Sequence, residues 1–503
     1  MDEPTLRSRK FWFAALGIFL LTIAIRLPSL LHPLAIDDEA GYSVIANEII
    51  DGGRPYIDAV DRKPPLLFWT YAAAFKIGGK YNWMALHVLS LAWTLATMGG
   101  LYVIAKQLFD RETGLVAALF YSVFQPWLSF KNLAFNGEAI MNLPIVWAWA
   151  IGFSRGRVKY RPELLGAGAL LCAAFLLKQP AAIAAVPLGI YLLLPGYRIS
   201  RGLTPTQCVV HAAMLTTGFF GCLAVFAVIL QQQNILREAV YWTISNHTIP
   251  YIFWKNGILM TLAFVGACFP LLIGAATAVR DRRSLWAGKR SEQTALLGLL
   301  TVSAIGTAAG ARFYDHYYIQ LIPPLTLLAA PYYAHLWTGR MQPPNWLLRP
   351  AITYAWLMTT VVVFSISHWL ALNARRVPLE TGRYLREHSG PNDRIFVWGD
   401  KPRIYVEARR RPASRYILSF PLTGKVFGGA TPGLDTRSRI LSWAWARLAQ
   451  DFAMHPPTYI VDLQNDAKNA EYPVKNFPIL AKLLQKRYQP IARTAEGVIY
   501  RVR

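Results

Sequence analysis

Long apolar runs recur along this chain, beginning near Phe11, Met84, Gly114, Ala139, Leu164, Ala181, Val209, Gly257, Thr294, Gln320 and Ala351, each parted from the next by a polar stretch. A helix crosses a hydrocarbon core of ~30 Å with roughly 20 apolar residues, and lipid offers its backbone no other hydrogen-bond partners. About eleven spanning helices are therefore expected before Asn373. Of 503 residues 54% are hydrophobic and only 16% charged, which excludes the profile of a soluble enzyme. The first run is too long, and too poor in small residues at its far end, for a cleaved signal peptide, so it is expected to stay as an anchor.

Lys and Arg in short loops are retained in the cytoplasm, which sets orientation. A cytoplasmic N-terminus puts Arg7, Arg9 and Lys10, then Lys106 and Arg111, then Arg155, Arg157, Lys159 and Arg161, then Arg198 and Arg201 on the inner face. Arg280, Arg282, Arg283, Lys289, Arg290, Arg340 and Arg349 follow the same rule. The loop after the first span and everything after the last are then extracytoplasmic. Much of the formal charge of +24 is thereby topological, and no nucleic-acid partner is expected. Cys172, Cys208, Cys222 and Cys268 lie in or beside apolar runs without paired spacing, so no disulfide framework or metal site is expected. Asn246-His247-Thr248 is a sequon on an external loop.

The fold class expected is thus an all-α polytopic module over residues 1–372, followed by an extracytoplasmic α/β domain over 373–503. Within the external loop 32–82, Asp37 or Asp38 caps a helix that buries Tyr42, Ile45, Ile49 and Ile50, turns Asn47, Glu48 and Asp51 outward, and stops at Gly52-Gly53. A second interfacial or re-entrant helix runs from Leu66 to Phe75, after Pro64-Pro65. Between Gln231 and Asn256 the aromatics Tyr241, Trp242, Tyr251, Phe253 and Trp254 read as a headgroup-depth belt or a lid. In the tail, "DRIFVWG", "PTYIVDL" and "GVIYRVR" read as strands, and Leu379–His388 and Phe477–Arg487 as helices. A Gly-rich dinucleotide fingerprint is absent, so no nucleotide cofactor is expected.

Ionisable side chains near a bilayer are costly enough to be functional candidates. Four groups share the extracytoplasmic side: Asp37, Asp38 and Glu39 with Asp58, Asp61, Arg62 and Lys63; Glu138; Lys178; and Arg312, Asp315 and His316 in "RFYDHYYIQLIPP". Cations gathered with carboxylates on one leaflet suit a lipid-borne phosphate, with a carboxylate left for proton work. The bland readings stand beside this one. Asp37 caps a helix, Lys63 and Arg312 snorkel to lipid headgroups, His316 packs through hydrogen bonds, and Arg26 snorkels from the first span.

The stretch "DDEAGYSVIANEIIDGGRPYIDAVDRKPPLLFW" resembles the first external loop of GT-C-fold glycosyltransferases, the bacterial relatives of protein O-mannosyltransferases and the lipid A aminoarabinose transferase. The resemblance rests on Asp38-Glu39 with Tyr42 three residues on, the turn Gly53-Arg54-Pro55-Tyr56, and Lys63-Pro64-Pro65. "RFYDHYYIQLIPPLTLLAA" is similar to a later Arg-x-x-x-His-Tyr segment of the same family. It implies sugar transfer from a polyprenyl phosphate to a hydroxyl of a lipid, glycan or protein, in the bacterial cytoplasmic membrane. Asp38, with Glu39 beside it, then aligns with the base. Lys63 and Arg312, joined by Lys178 and His316, bind donor phosphate; Tyr42, Glu138, Asp315 and Tyr317 line the substrate. A divalent cation is the one candidate cofactor, without assigned ligands, because Arg62 stands where the aminoarabinose transferase has an acidic residue near a bound metal. A glycosyl phosphate carries its own leaving group, so one base and several cations suffice, and a single displacement inverts the anomeric carbon. The competing reading is a secondary transporter or flippase for an anionic lipid-linked substrate.

Overall fold

Every one of the eleven apolar runs is helical in the computed structural model, which describes residues 3–33, 37–154, 160–246, 252–281, 285–343, 348–426, 435–466 and 469–503. Among these residues, Arg9–Leu31, Trp83–Leu108, Pro205–Gln232 and Pro350–Asn373 are long and apolar enough to cross a membrane. Two further pairs, Gln179–Leu193 with Pro195–Arg201 and Trp254–Ala267 with Phe269–Arg280, raise the number to 6 if each counts as one span. They bend by 55° and 78° at breaks marked by Pro195 and Pro270, residues that lack the N–H a continuous helix needs. Gly137–Phe153 and Glu163–Leu177 are shorter apolar helices. The protein is a multi-pass membrane protein.

The chain forms two compact units. The first comprises Met1–Pro33, His87–Val228 and Ile249–Asn373 and holds the apolar helices. Close approach inside it depends on glycine: a Cβ on Gly168 would lie 2.0 Å from the Leu215 carbonyl oxygen, and one on Gly218 2.0 Å from that of Leu165. Glu163–Leu177 and Pro205–Gln232 thus cross backbone to backbone, the small-residue packing that membrane helices favour. Arg26 is buried rather than snorkelling, donating to Gln125 Oε1 at 2.6 Å, Ser90 Oγ at 3.0 Å and the Leu133 carbonyl at 3.4 Å. Arg161 and Arg201, read above as loop charges, are also buried, and they donate to the carbonyls of Ile151, Gly152, Phe153 and Ser154. Those carbonyls lie at the C-terminal end of the helix Asn142–Phe153, where the macrodipole favours cations. Arg155, Arg157, Lys159, Arg282 and Arg283 lie outside the described residues, as does the side chain of Arg7.

The second unit joins Leu34–Leu86 and Ile229–Thr248 to Ala374–Arg503. Its sheet comprises β1 (Arg394–Trp398), β2 (Arg411–Pro412), β3 (Tyr459–Asp462), β4 (Tyr488–Arg493) and β5 (Val498–Val502), in the order β2-β1-β3-β5-β4. β1 pairs parallel with β2 and β3, while β5 runs antiparallel to β3 and β4. β1 and β3 are the strands covered on both faces, which is why each reads as a continuous apolar run. Helices Glu380–His388 and Pro478–Arg487 stand close to the expected ranges.

Within this unit the connection after the first long helix supplies the helices Asp37–Ile50 and Pro65–Gly78, which pack together. Asn47 and Glu48 were expected to face outward, but both are buried. Glu48 accepts two hydrogen bonds from the Arg411 guanidinium, at 2.9 and 2.6 Å, so protein replaces water as its partner. The Val60 N–H donates to the Arg415 carbonyl at 2.9 Å, and Arg62 lies 4.8 Å from the Phe420 ring centroid. Trp242 is fully buried, edge-on to Phe420 and Trp443 at 6.1 and 5.9 Å, so it serves the protein interior rather than an aromatic belt. Tyr251, His247 and Thr248 fall outside the described residues, and with them the sequon. The cap read at Asp37 rests on a side chain that is likewise not described.

Candidate functional site

The expected site residues fall into two groups, one in each unit. In the second unit, Asp38 and Glu39 open the helix Asp37–Ile50; Asp38 is exposed and Glu39 fully buried. Tyr42, one turn on, is buried edge-on to Tyr71 at 5.6 Å. Burial pushes the Tyr71 phenol well above its ordinary range, and the charges of Glu39 and then Asp38 push it further, so both carboxylates act on the same ring. Lys63 is half-buried in the turn before Pro65–Gly78. Its carbonyl accepts from the buried Tyr56 hydroxyl at 2.7 Å, and Pro64 and Pro65 stiffen the chain behind it. The Gly-x-Pro-Tyr turn and the Lys-Pro-Pro step are therefore one structural device, in which Tyr56 anchors the backbone of Lys63.

The other group lies in the first unit. Asn136 caps a short helix through the Ala139 N–H at 3.1 Å and sets Glu138 in its first turn. Lys178 sits at the C-terminal end of Glu163–Leu177, against which Asn142–Phe153 packs. Carboxylate at a helix N-terminus and ammonium at a helix C-terminus each match the local macrodipole. The two buried side chains meet at 2.6 Å. Gly137 makes the approach possible, since a Cβ there would stand 2.9 Å from Lys178 Cδ. His316 Nε2 lies 3.9 Å from Glu138 Oε1, and its Nδ1 3.1 Å from Asp315 Oδ1. Burial opposes ionisation of Asp315, but the hydrogen bond and charge of His316, with Ser129 and Lys131 behind, hold its carboxyl well below the usual range. Tyr317 places its ring 5.3 Å from Lys178 Nζ and is edge-on to His316 at 4.9 Å. Its carbonyl accepts from Thr307 Oγ1 at 3.1 Å and Gln320 Nε2 at 3.0 Å.

Arg312 is buried with its guanidinium 5.8 Å from the Phe253 ring centroid. Ala311 and Phe313 on either side both adopt φ 51°, a left-handed conformation that costs non-glycine residues of order 1–3 kcal/mol. Asn256 Nδ2 clamps this stretch by donating to the carbonyls of Arg312 and Phe313 at 2.7 and 2.9 Å. The structure thus brings Glu138, Lys178, Asp315, His316 and Tyr317 together in one unit with Arg312 close along the chain; Asp38, Glu39 and Tyr42 open one helix of the other unit, which also holds Lys63. The sequence reading missed Ser129, Lys131, Asn256, Thr307 and Gln320. Only Gln320, in the motif itself, carried a local signal. Among the described residues no group of three His, Cys, Asp or Glu side chains is placed to hold a metal ion.

Residues 62–230 match the family model described as dolichyl-phosphate-mannose-protein mannosyltransferase. In fold the chain is similar to ArnT from Cupriavidus metallidurans in the apo state, with a TM-score of 0.60 at 13% identity, covering 99% of this chain and 98% of that one. It is also similar to the same protein bound to undecaprenyl phosphate, at 0.55 and 12%, with 99% and 98% covered. The Archaeoglobus fulgidus oligosaccharyltransferase tethered with an acceptor peptide matches at 0.55 and 13%, over 100% of this chain and 75% of that one. No curated protein matches the chain by sequence. The protein has the GT-C glycosyltransferase fold. Within that fold, residues 62–230 carry the mannosyltransferase family pattern.

Proposed function

We propose that the protein is an inverting glycosyltransferase that moves a sugar from a polyprenyl-phosphate carrier to an acceptor hydroxyl on the extracytoplasmic face of a bacterial cytoplasmic membrane. The observation that supports this reading is the likeness in fold, over nearly the whole of both chains, to a protein bound to undecaprenyl phosphate. In the proposed step the acceptor oxygen bonds to the anomeric carbon as the bond from that carbon to the phosphate oxygen breaks. Asp38 takes the hydroxyl proton, with Glu39 beside it, and the phosphate departs with the bonding electrons. Lys63, Arg312, Lys178 and His316 stabilise its charge, worth most where water is excluded. Tyr42, Glu138, Asp315 and Tyr317 shape the substrate's surroundings, and membrane lipids bathe the polyprenyl chain. No step is routed through a metal.

Some eleven crossings, with the N-terminus cytoplasmic and residues 373–503 outside, are part of the same proposal. The test supplies purified protein with a labelled polyprenyl-phosphate sugar and a hydroxyl acceptor. Transfer or slow hydrolysis of the label supports the enzyme. Movement of the intact lipid across vesicles without chemistry would instead establish a flippase.

A further inference from the structure

A cleft of about 450 Å³ opens in the second unit, lined among others by Thr436, Arg437, Trp445, Tyr472, Asn476 and Phe477. Its place follows from the sheet topology. β2 and β3 flank β1 on opposite sides, so the chain reverses its direction of travel across the sheet between β1 and β3. In open α/β sheets the crevice beyond the carboxyl ends of the strands at such a switch is where ligands bind. The cleft is built from segments that follow those ends. Trp398, the last residue of β1, donates from Nε1 to the Tyr472 carbonyl at 2.9 Å and stacks edge-on to Phe477 at 4.8 Å. Thr436 comes from the segment after β2; Tyr472, Asn476 and Phe477 come from the segment after β3.

The wall is aromatic. Trp445 and Phe477 lie nearly parallel, 5.9 Å apart at 22°. Polar groups rim it: the Tyr472 hydroxyl is 3.1 Å from Thr436 Oγ1, and the Asn476 amide is exposed. Arg437 and Asp435 form a two-point pair at 3.0 and 2.8 Å, with side chains 85% and 60% exposed. Such a pair offers unused N–H donors and carboxylate lone pairs side by side, the pattern that neighbouring sugar hydroxyls require. Aromatic faces, negative at the centre, attract the polarised C–H groups of a sugar ring. Among the lining residues Arg437 is paired with Asp435 and stands beside Glu471, so the lining gathers no excess of positive charge for a phosphate. Its volume falls in the roughly 300–1,000 Å³ of small-molecule sites.

We propose that this cleft binds a neutral oligosaccharide, which makes the acceptor a glycan; the acceptor role rests on the glycosyltransferase reading above. Saturation-transfer NMR on the purified full chain in nanodiscs, against a panel of neutral hexose and pentose oligosaccharides, should detect binding. Trp445→Ala should abolish it, and Arg437→Ala or Asn476→Ala, at exposed positions, should weaken it about tenfold with thermal unfolding unchanged. Hydrolysis of labelled polyprenyl-phosphate sugar, measured without oligosaccharide, should persist in all three variants. Absence of donor turnover in the wild type would sink the glycosyltransferase reading and the acceptor role with it, while leaving oligosaccharide binding as evidence for the cleft. Failure of the wild type to bind any oligosaccharide, or binding indifferent to Arg437→Ala and Asn476→Ala, would overturn the proposal, as would preference for anionic lipid vesicles.

Discussion

The buried pair Glu138 and Lys178 is the sharpest target for energetic dissection. At an effective dielectric of about 20, unit charges 2.6 Å apart attract by about 6 kcal/mol. Desolvation cancels most of that, so the pair is worth little against an apolar replacement, yet loss of one partner strands the other's charge and costs about 3–5 kcal/mol. Glu138→Gln and Lys178→Met should therefore each destabilise by about that amount. The double variant should cost no more than about 2 kcal/mol, since neither charge is left alone. The cycle predicts a coupling of at least about 4 kcal/mol, far beyond the ~0.5 kcal/mol within which independent sites add.

Denaturant unfolding of the four proteins in matched micelles, followed by tryptophan fluorescence, measures it. His316, with Nε2 3.9 Å from Glu138 Oε1, remains beside the carboxylate in Lys178→Met and sets the lower bound of the Lys178 effect. Additive single effects, or singles each below 1 kcal/mol, would refute a buried pair and return Lys178 to the role of a lone phosphate ligand.

Asp38→Asn, which keeps the side chain's size but cannot accept the acceptor's proton, should lower turnover by about 100-fold while donor binding survives; full turnover would exclude Asp38 as base. Lys63→Ala and Arg312→Ala should each weaken donor use by about 10- to 100-fold without loss of expression, and unchanged donor affinity would remove them from the phosphate site. Asp462, buried at the end of β3, has its carboxyl pushed up to about 6 by burial, against the Val474 N–H hydrogen bond; because the folded value is the higher one, the stability it contributes is complete below about pH 4 and lost as pH rises through about 6. Asp462→Asn should thus unfold at higher temperature than wild type at pH 7.5, by up to about 2 kcal/mol, with the gap closing at pH 4; an equal gap at both would disprove the assignment.

Much of this was legible locally. β1, β3 and β5 announced themselves as apolar runs, whereas β4 is largely exposed, carries Pro490 and contains an irregularity, so no alternation marks it. β2 is two residues long and exists through its pairing with β1. The motif residues Asp38, Lys63, Arg312 and His316 were readable because they sit in short dense stretches. Supports from distant segments were not: Asn256 clamps Arg312 across 56 positions, and Glu48, on the helix that Asp38 opens, meets Arg411 across 363. A carboxylate on a helix face reads as solvent-facing until such a partner is known. For the same reason Arg161 and Arg201 read as topological charges, though each is spent on carbonyls at one helix end.

Seen together, the buried charges of the first unit sort by what holds them. Glu138 and Lys178 occupy helix ends whose partial charges favour them, and Arg161 and Arg201 do the same at the opposite end of the helix run Gly137–Phe153. Such placement lowers the cost of burying charge and accounts for these residues as parts of the fold. Arg312 sits instead in the connection between the helix ending at Ala308 and the turn Asp315–Leu321. It is held in place by two left-handed non-glycine neighbours and the Asn256 clamp, an arrangement that raises the energy of the chain. Strain of this kind persists only where surrounding structure enforces it, and it concentrates where a side chain must be aimed. The backbone at Arg312 therefore supports the phosphate-binding role more strongly than its charge does. Lys178, compensated by Glu138, should contribute less to donor binding than Arg312 for the same loss of one positive charge, and comparing Lys178→Met with Arg312→Ala for donor affinity decides it. A larger loss of donor affinity from Lys178→Met would reverse that order and leave the strain at Ala311 and Phe313 without a functional account.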